Sequence, residues 1–188
     1  MKILGICCSP RPGGNTEILL KEALDSAEKA GAEVEFETIA GKKIQGCEGC
    51  DACAKTNLCK INDDMQILYP KLLNANGIIF GSPIYAWSVT SQAKAIIDRT
   101  FCLKRGRVLR DKVGGVVLVT KRVGHVAAFN VFSGFFTANR MILSGCAMAF
   151  GFEKGEVRND TQGMAEARSL GRAVVKYMKV QIGLNQNR

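Results

Sequence analysis

Several things are missing from this 188-residue chain. No apolar run exceeds the length of a strand, so no segment is expected to span a membrane. The opening Met1-Lys2-Ile3-Leu4-Gly5-Ile6 carries one charge and a very short apolar stretch. It reads as a first strand and not as an export signal, which makes the cytoplasm the expected compartment. Internal repeats, linkers and low-complexity tracts are absent, and the length suits one domain over residues 1–188. No nucleic-acid motif accompanies the formal net charge of +9, and the basic residues are spread along the chain. An anionic cofactor, an acidic protein partner or simple solubility accounts for that charge. At 47% apolar and 23% charged residues, the composition is that of an ordinary globular protein.

What is present alternates between strand and helix. Lys2 to Cys7 reads as a buried parallel strand, followed by a polar turn and a helix with Leu19, Leu20, Ala23, Leu24 and Ala27 on one face, stopped by Gly31. Val34, Phe36 and Thr38 alternate with glutamates, as in a strand near a sheet edge. Residues 40 to 63 fit no regular element. Asp63 or Asp64 can cap a helix over Met65 to Asn74, which Pro70 should kink or shorten. Ile78 to Phe80 is a third strand, Ser91 to Phe101 a helix and Val113 to Thr120 a fourth strand. Residues 126 to 144 look helical, Ala147 to Phe152 suggests a fifth strand, and Asp160 can cap a last helix to about Gln181. This pattern predicts an α/β fold with a doubly wound parallel sheet. For the strand order 2-1-3-4-5, ligands bind between strands 1 and 3, beyond their C-terminal ends.

Two loops fall at that point. Ser9-Pro10-Arg11-Pro12-Gly13-Gly14-Asn15-Thr16 offers hydroxyls, an arginine and helix-start N–H groups, the parts of a phosphate site. A Walker A loop is excluded, because Asn15-Thr16 and not Lys-Ser/Thr follows Gly14. A Cys-x5-Arg phosphatase loop is excluded too, since Gly13 and Gly14 stand five residues beyond Cys7 and Cys8. The second loop, Gly81-Ser82-Pro83-Ile84-Tyr85-Ala86-Trp87, is a proline-stiffened turn with two aromatics. It suits a flat ring whose polar edge meets backbone groups while Tyr85 or Trp87 covers it. Together the loops are a flavin signal; the rival reading of the first is an ordinary βα turn, and the second alone would read as a packed aromatic.

Cys47, Cys50, Cys53 and Cys59 form Cys-x2-Cys-x2-Cys-x5-Cys. Disulfides are rare in the cytoplasm, and this spacing lets one loop wrap a cubane. No second set exists, so the four are expected to ligate one 4Fe-4S cluster, with ligation supplying much of the order of residues 40–63. The rivals are a structural zinc site, which usually spaces its two Cys-x-x-Cys arms well apart, and a dithiol or unligated set. Cys7, Cys8, Cys102 and Cys146 read as buried small hydrophobes, with Cys8 a further candidate for the phosphate site. His125, the single histidine, is either a flavin neighbour or solvated. Lys104, Arg105, Arg107, Arg110 and Lys112 make a basic stretch, a solvated face or a surface for an acidic electron carrier. Phe129, Phe132 and Phe136 form a stripe that belongs to a core or a subunit interface.

Ser9-Pro10-Arg11, Gly14-Asn15-Thr16, Ser82-Pro83-Ile84-Tyr85, Lys94 and Asp98-Arg99 resemble the NAD(P)H-dependent FMN reductase family. The cysteine insert is similar to that of its iron-sulfur flavoprotein branch. The resemblance implies a flavodoxin-like fold. It implies that Ser9, Arg11, Asn15 and Thr16 hold the FMN phosphate, and that Pro83, Ile84 and Tyr85 line the isoalloxazine. It also implies dimers or tetramers with flavin sites at subunit contacts. Thr120 to His125 departs from the glycine-rich loop common in the reductases. An FMN beside a 4Fe-4S cluster would link one-electron carriers such as ferredoxin with two-electron partners. An NAD(P)H-dependent FMN or quinone reductase with an accessory cluster or zinc site is the alternative.

Overall fold

The computed structural model describes residues 1–104 and 106–186; of Asn185 and Gln186 only the backbone is described. Five strands, β1 (Lys2–Cys7), β2 (Glu33–Thr38), β3 (Gly77–Pro83), β4 (Val113–Thr120) and β5 (Ile142–Phe150), form one parallel sheet in the order β2-β1-β3-β4-β5. The helices are α1 (Asn15–Lys29), α2 (Cys53–Thr56), α3 (Met65–Asn74), α4 (Ser91–Arg99), α5 (Phe101–Lys104), α6 (His125–Ala138) and α7 (Thr161–Gln186). The fold is flavodoxin-like.

A parallel sheet must be covered on both faces, and here each face has its own core. One holds Leu19, Leu20 and Leu24 of α1 against Val174 and Met178 of α7, over Ile3, Ile79 and Val117. The other holds Leu68 and Leu72 of α3, Ile96 of α4 and Phe132 of α6 over Leu4, Phe80 and Val116. Phe80 is the aromatic centre of this second core, stacked on Phe132 at 5.2 Å and edge-on to Phe135 at 5.4 Å. Gly114 is required there: a Cβ on it would lie 2.2 Å from the ring of Phe136. The aromatic stripe of α6 is therefore core at Phe132 and Phe136, with Phe129 partly buried against it.

Four expectations need correction. The helix expected over 126–144 ends at Ala138, because Arg140 takes a left-handed φ of 56°. Met141-Ile142-Leu143 is apolar enough for either element, and pairing with β4 makes Ile142 the start of β5, five residues earlier than expected. The helix from Ser91 breaks at Thr100, whose hydroxyl donates to the Ile97 carbonyl at 2.6 Å, and a separate turn, α5, follows. Residues 40–63 contain one turn of helix, α2, at Cys53–Thr56. α3 has the expected bounds, Met65–Asn74, with Pro70 inside it. Of the basic stretch, Arg105 lies outside the described residues, and Lys112 is structural. Burial pushes its pKa down, and its ammonium donates to the carbonyls of Leu73, at 2.7 Å, and Ala75, closing the end of α3.

Candidate functional site: two cavities joined by one helix

β1 and β3 end side by side, with Cys7 paired to Gly81 and the Cys8 N–H donating to the Gly81 carbonyl at 2.7 Å. The loop after β1 is drawn tight by the Ser9 hydroxyl, which accepts from the Arg11 N–H at 3.1 Å. No side chain caps α1, so its first-turn N–H groups remain for an anion. Ser9, Arg11, Asn15 and Thr16 line a cavity of about 220 Å³, and Pro83, Ile84 and Tyr85 line its other side. Seven of the nine flavin-site candidates thus share one cavity. Its outer rim, Tyr85 and Phe152, is exposed.

Ser82 and Trp87 stand apart from it. Ser82 is fully buried; its hydroxyl donates to the Pro83 carbonyl at 2.8 Å and accepts from the Thr90 N–H at 3.3 Å. It braces the loop from below. Trp87 is two-thirds exposed and lies in a tight turn closed by reciprocal bonds between Tyr85 and Ser88 at 3.0 and 3.1 Å. Ala86 and Trp87 both have positive φ, 46° and 63°, a geometry that ordinarily selects Asn-Gly. Holding two side-chain-bearing residues there costs about 1–3 kcal/mol each. The strained turn fixes Tyr85 at the cavity rim.

Asn15 is committed within the chain. Its amide donates to the Glu153 carbonyl at 2.8 Å and accepts from the Gly155 N–H at 2.8 Å, so it clasps the start of α1 to the segment after β5. Gly151 makes the clasp possible, because a Cβ there would come within 2.9 Å of the Asn15 amide. The clasp brings Phe152 and Lys154 to the cavity, where Lys121, from the end of β4, joins them. Lys121 lies 4.0 Å over the Phe152 ring. Sequence reasoning missed all three, although the loops after strands 4 and 5 open onto the same sheet edge. It also missed Thr90, whose buried hydroxyl donates to the Cys8 carbonyl at 2.9 Å and accepts from Ala93 N–H at 3.1 Å as the cap of α4. His125 begins α6, outside the cavity lining, with its buried Nδ1 unpartnered. Cys8 is fully buried in the core, and burial holds its pKa far above the usual thiol value.

The second cavity, about 140 Å³, is lined by all four clustered cysteines. Cys47 and Cys50 are exposed, while Cys53 and Cys59 are partly buried against the core. Among the described residues no three His, Cys, Asp or Glu side chains close on a single-ion site. The thiols stand around a volume. The arms of the loop are pinned without them. Asp63 accepts from the Gln45 N–H at 2.8 Å and the Met65 N–H at 3.0 Å, and Asp64 accepts from the Lys43 N–H at 2.6 Å. Arg99 grips Asp63 with both terminal nitrogens, at 2.8 and 3.0 Å, and donates to the Gln45 and Ile61 carbonyls. Cys102, expected to be an inert hydrophobe, is buried but lines this same cavity. Cys7 is buried and Cys146 partly buried, and desolvation pushes their pKa values up to about 11 and about 12.

Helix α4 connects the two sites. Thr90 caps it behind the loops of the first cavity, bonded to Ser82 and Cys8, and Arg99 ends it at the second, a span of roughly 14 Å at the α-helical rise.

A parallel sheet of this order, with an anion-type loop and an aromatic loop at its switch point, defines a flavodoxin-like nucleotide-binding architecture. Residues 1–155 match the NADPH-dependent FMN reductase family, and the chain belongs to it and, within it, to the iron-sulfur flavoproteins. It is 37% identical to an iron-sulfur flavoprotein of Methanocaldococcus jannaschii, covering 96% of this chain and 98% of that one. It is 33% identical to the iron-sulfur flavoprotein of Methanosarcina thermophila, covering 87% and 88%. Among solved structures, RosB superposes with a TM-score of 0.80 at 16% identity, covering 96% of this chain and 79% of that one, a likeness of fold. A flavodoxin from the domain Archaea gives 0.63 at 13% identity, covering 95% and 99%.

Proposed function

We propose that this oxidoreductase binds FMN at the first cavity and one 4Fe-4S cluster at the second, and passes electrons between them. The observation that carries the reading is that Cys47, Cys50, Cys53 and Cys59 all line one small cavity at the far end of the helix that starts at the flavin loops. When bound, FMN exchanges one or two electrons and the cluster one, so the pair links two-electron partners to one-electron carriers. The chain's own residues supply position and charge. Arg11 and the uncapped first turn of α1 hold the phosphate; Ser9 and Thr16 furnish hydroxyls beside it. Pro83, Ile84 and Tyr85 lie along the isoalloxazine, with Ser82 bracing them and Trp87 stiffening the turn. The four thiolates are the ligands of the cluster. The names of the iron-sulfur flavoprotein relatives support both cofactors.

The protein works in the cytoplasm and, with net charge +9, meets an acidic carrier such as ferredoxin. No described helix is long and apolar enough to cross a membrane. Iron, sulfide and flavin analysis of anaerobically purified protein tests the assignment; stoichiometric flavin without iron would reject the cluster. The match to NADPH-dependent FMN reductases favours a second reading, in which NAD(P)H reduces the flavin and the cluster is accessory. Stopped-flow reduction by NADH, NADPH and reduced ferredoxin separates the two, since the first reading requires ferredoxin to be the fast donor.

A further inference from the structure

Arg99 is the largest fully buried side chain in the molecule's described part, with its guanidinium completely shielded from solvent. Burying an arginine is costly, and the cost is met only when every N–H finds a partner. Four of its five N–H groups have accounts: both terminal nitrogens serve Asp63, one also the Gln45 carbonyl and the other the Ile61 carbonyl. The fifth does not. Arg99 Nε is buried and unpartnered, a state that ordinarily costs about 1–3 kcal/mol or more for a charged group.

That nitrogen belongs to a residue lining the cysteine cavity, and no other arginine among the described residues lines it. Arg99 and Cys59 line the same cavity, and the Ile61 carbonyl, two residues beyond Cys59, accepts from the Arg99 guanidinium at 3.2 Å. The backbone beneath is held still: the Arg99 carbonyl accepts from the Tyr69 hydroxyl at 3.1 Å and from the Cys102 thiol at 3.3 Å. The fork to Asp63 fixes the plane of the group. What remains is one N–H without a partner, on a charged residue that lines the cavity of the four cysteines.

We infer that Arg99 is a positioning residue for the cluster, donating its Nε–H to the Cys59 sulfur or to an inorganic sulfide beside it and raising the cluster's reduction potential. The inference rests on the cluster reading given above. Hydrogen bonds to cluster sulfurs and nearby positive charge favour the more negative, reduced state, and both raise the potential. Lysine cannot replace the arginine, because it retains the charge but lacks both the fork and the Nε–H.

The test uses intact, anaerobically purified protein. Iron and sulfide content is measured first; their absence from the unmutated protein overturns the cluster reading itself. With the cluster present, the reduced protein labelled with 15N only in arginine is examined by pulsed electron-nuclear spectroscopy. A 15N hyperfine coupling on the cluster signal is expected, and its absence overturns the role of Arg99 while leaving the cluster reading intact. EPR-monitored titration of Arg99→Lys should then show at least a tenfold shift of the one-electron equilibrium towards the oxidised form, about 59 mV lower. An unchanged potential with full iron would also overturn the inference. If Arg99→Lys does not retain iron, the labelled unmutated protein decides alone.

Discussion

Arg11 and Asn15 look alike in the sequence as polar residues of one phosphate-type loop, yet the structure gives them different work. Arg11 is exposed at the cavity and free to meet an anion. Replacing it by alanine should weaken FMN binding by about 1.5–3 kcal/mol, the worth of a charged hydrogen bond, or about 10- to 100-fold in Kd. Asn15→Ala should add to that indirectly, by releasing the segment that carries Phe152 and Lys154, and should lower thermal stability by about 1 kcal/mol for each bond lost. Flavin-fluorescence titration and thermal melting separate the effects; an Arg11→Ala, Asn15→Ala double variant with unchanged flavin affinity would count against the phosphate assignment. The cysteines divide in the same way. Serine at Cys47, Cys50, Cys53 or Cys59 should lower iron content and slow delivery to one-electron acceptors. Cys146, which does not line the cavity, is the control that should do neither. Cys102 serves less well as a control, because it borders the cavity and touches the Arg99 carbonyl. Full iron and full rate in all four serine variants would defeat the cluster assignment.

The cysteine loop is the element least legible in the sequence and most dependent on one ion pair. Its four cysteines stand out by their spacing in the sequence, and they line one cavity. Its anchoring is not legible there, because Arg99 is 36 residues from Asp63 and nothing in the sequence of α4 marks that residue as buried. The same limit explains α6 and β5. Helical spacing of phenylalanines carried the expected helix onward to residue 144, whereas pairing with β4 claims Ile142 for the sheet. Strands 1, 3 and 4 were legible because buried parallel strands are short, unbroken apolar runs bounded by turn residues. The switch-point loops were legible because topology brings the ends of strands 1 and 3 together at one cavity, but the clasp through Asn15 joins residues 138 apart and has no sequence signal. The loop also has a pH signature. Burial opposes the charge of Asp63, but Arg99 and the N–H groups of Gln45 and Met65 hold its carboxyl below the ordinary range. Its contribution is therefore complete above the unfolded carboxylate pKa, about 3.9, and is lost as pH falls through the lower folded value. Melting temperature should fall with acid in that window, and Asp63→Asn, destabilised throughout, should show a flatter profile there. Parallel profiles would remove Asp63 from the account.

At the scale of the whole molecule, the surface left over after the fold is built points to a second copy. The expected reason, a phenylalanine stripe on α6, is now spent on the core. A different set remains exposed near the mouth of the first cavity: Tyr85 and Trp87 in the strained turn, Val123 and Val126 beside Gly124, and Phe152 on the rim. These belong together, because a Cβ on Gly124 would lie 3.0 Å from the Trp87 backbone, which sets the start of α6 directly against the turn. Exposed aromatics grouped in this way are uncommon on a surface that stays in water, and aromatics are enriched in the centres of interfaces. A lone copy would leave Tyr85 at the rim of an open cavity, while a facing copy would cover the aromatic turn and exclude water from it. We therefore expect a homo-oligomer, a dimer or tetramer, built on this sheet edge. Sedimentation equilibrium at micromolar concentration should give a mass at least twice that of the chain. Trp87→Glu together with Val126→Glu should shift it to monomer by placing like charges at the centre of the contact, and should leave the iron content unchanged, since neither residue lines the cysteine cavity. A monomeric unmutated protein would defeat the expectation, and a double variant that stays assembled would move the interface to another face.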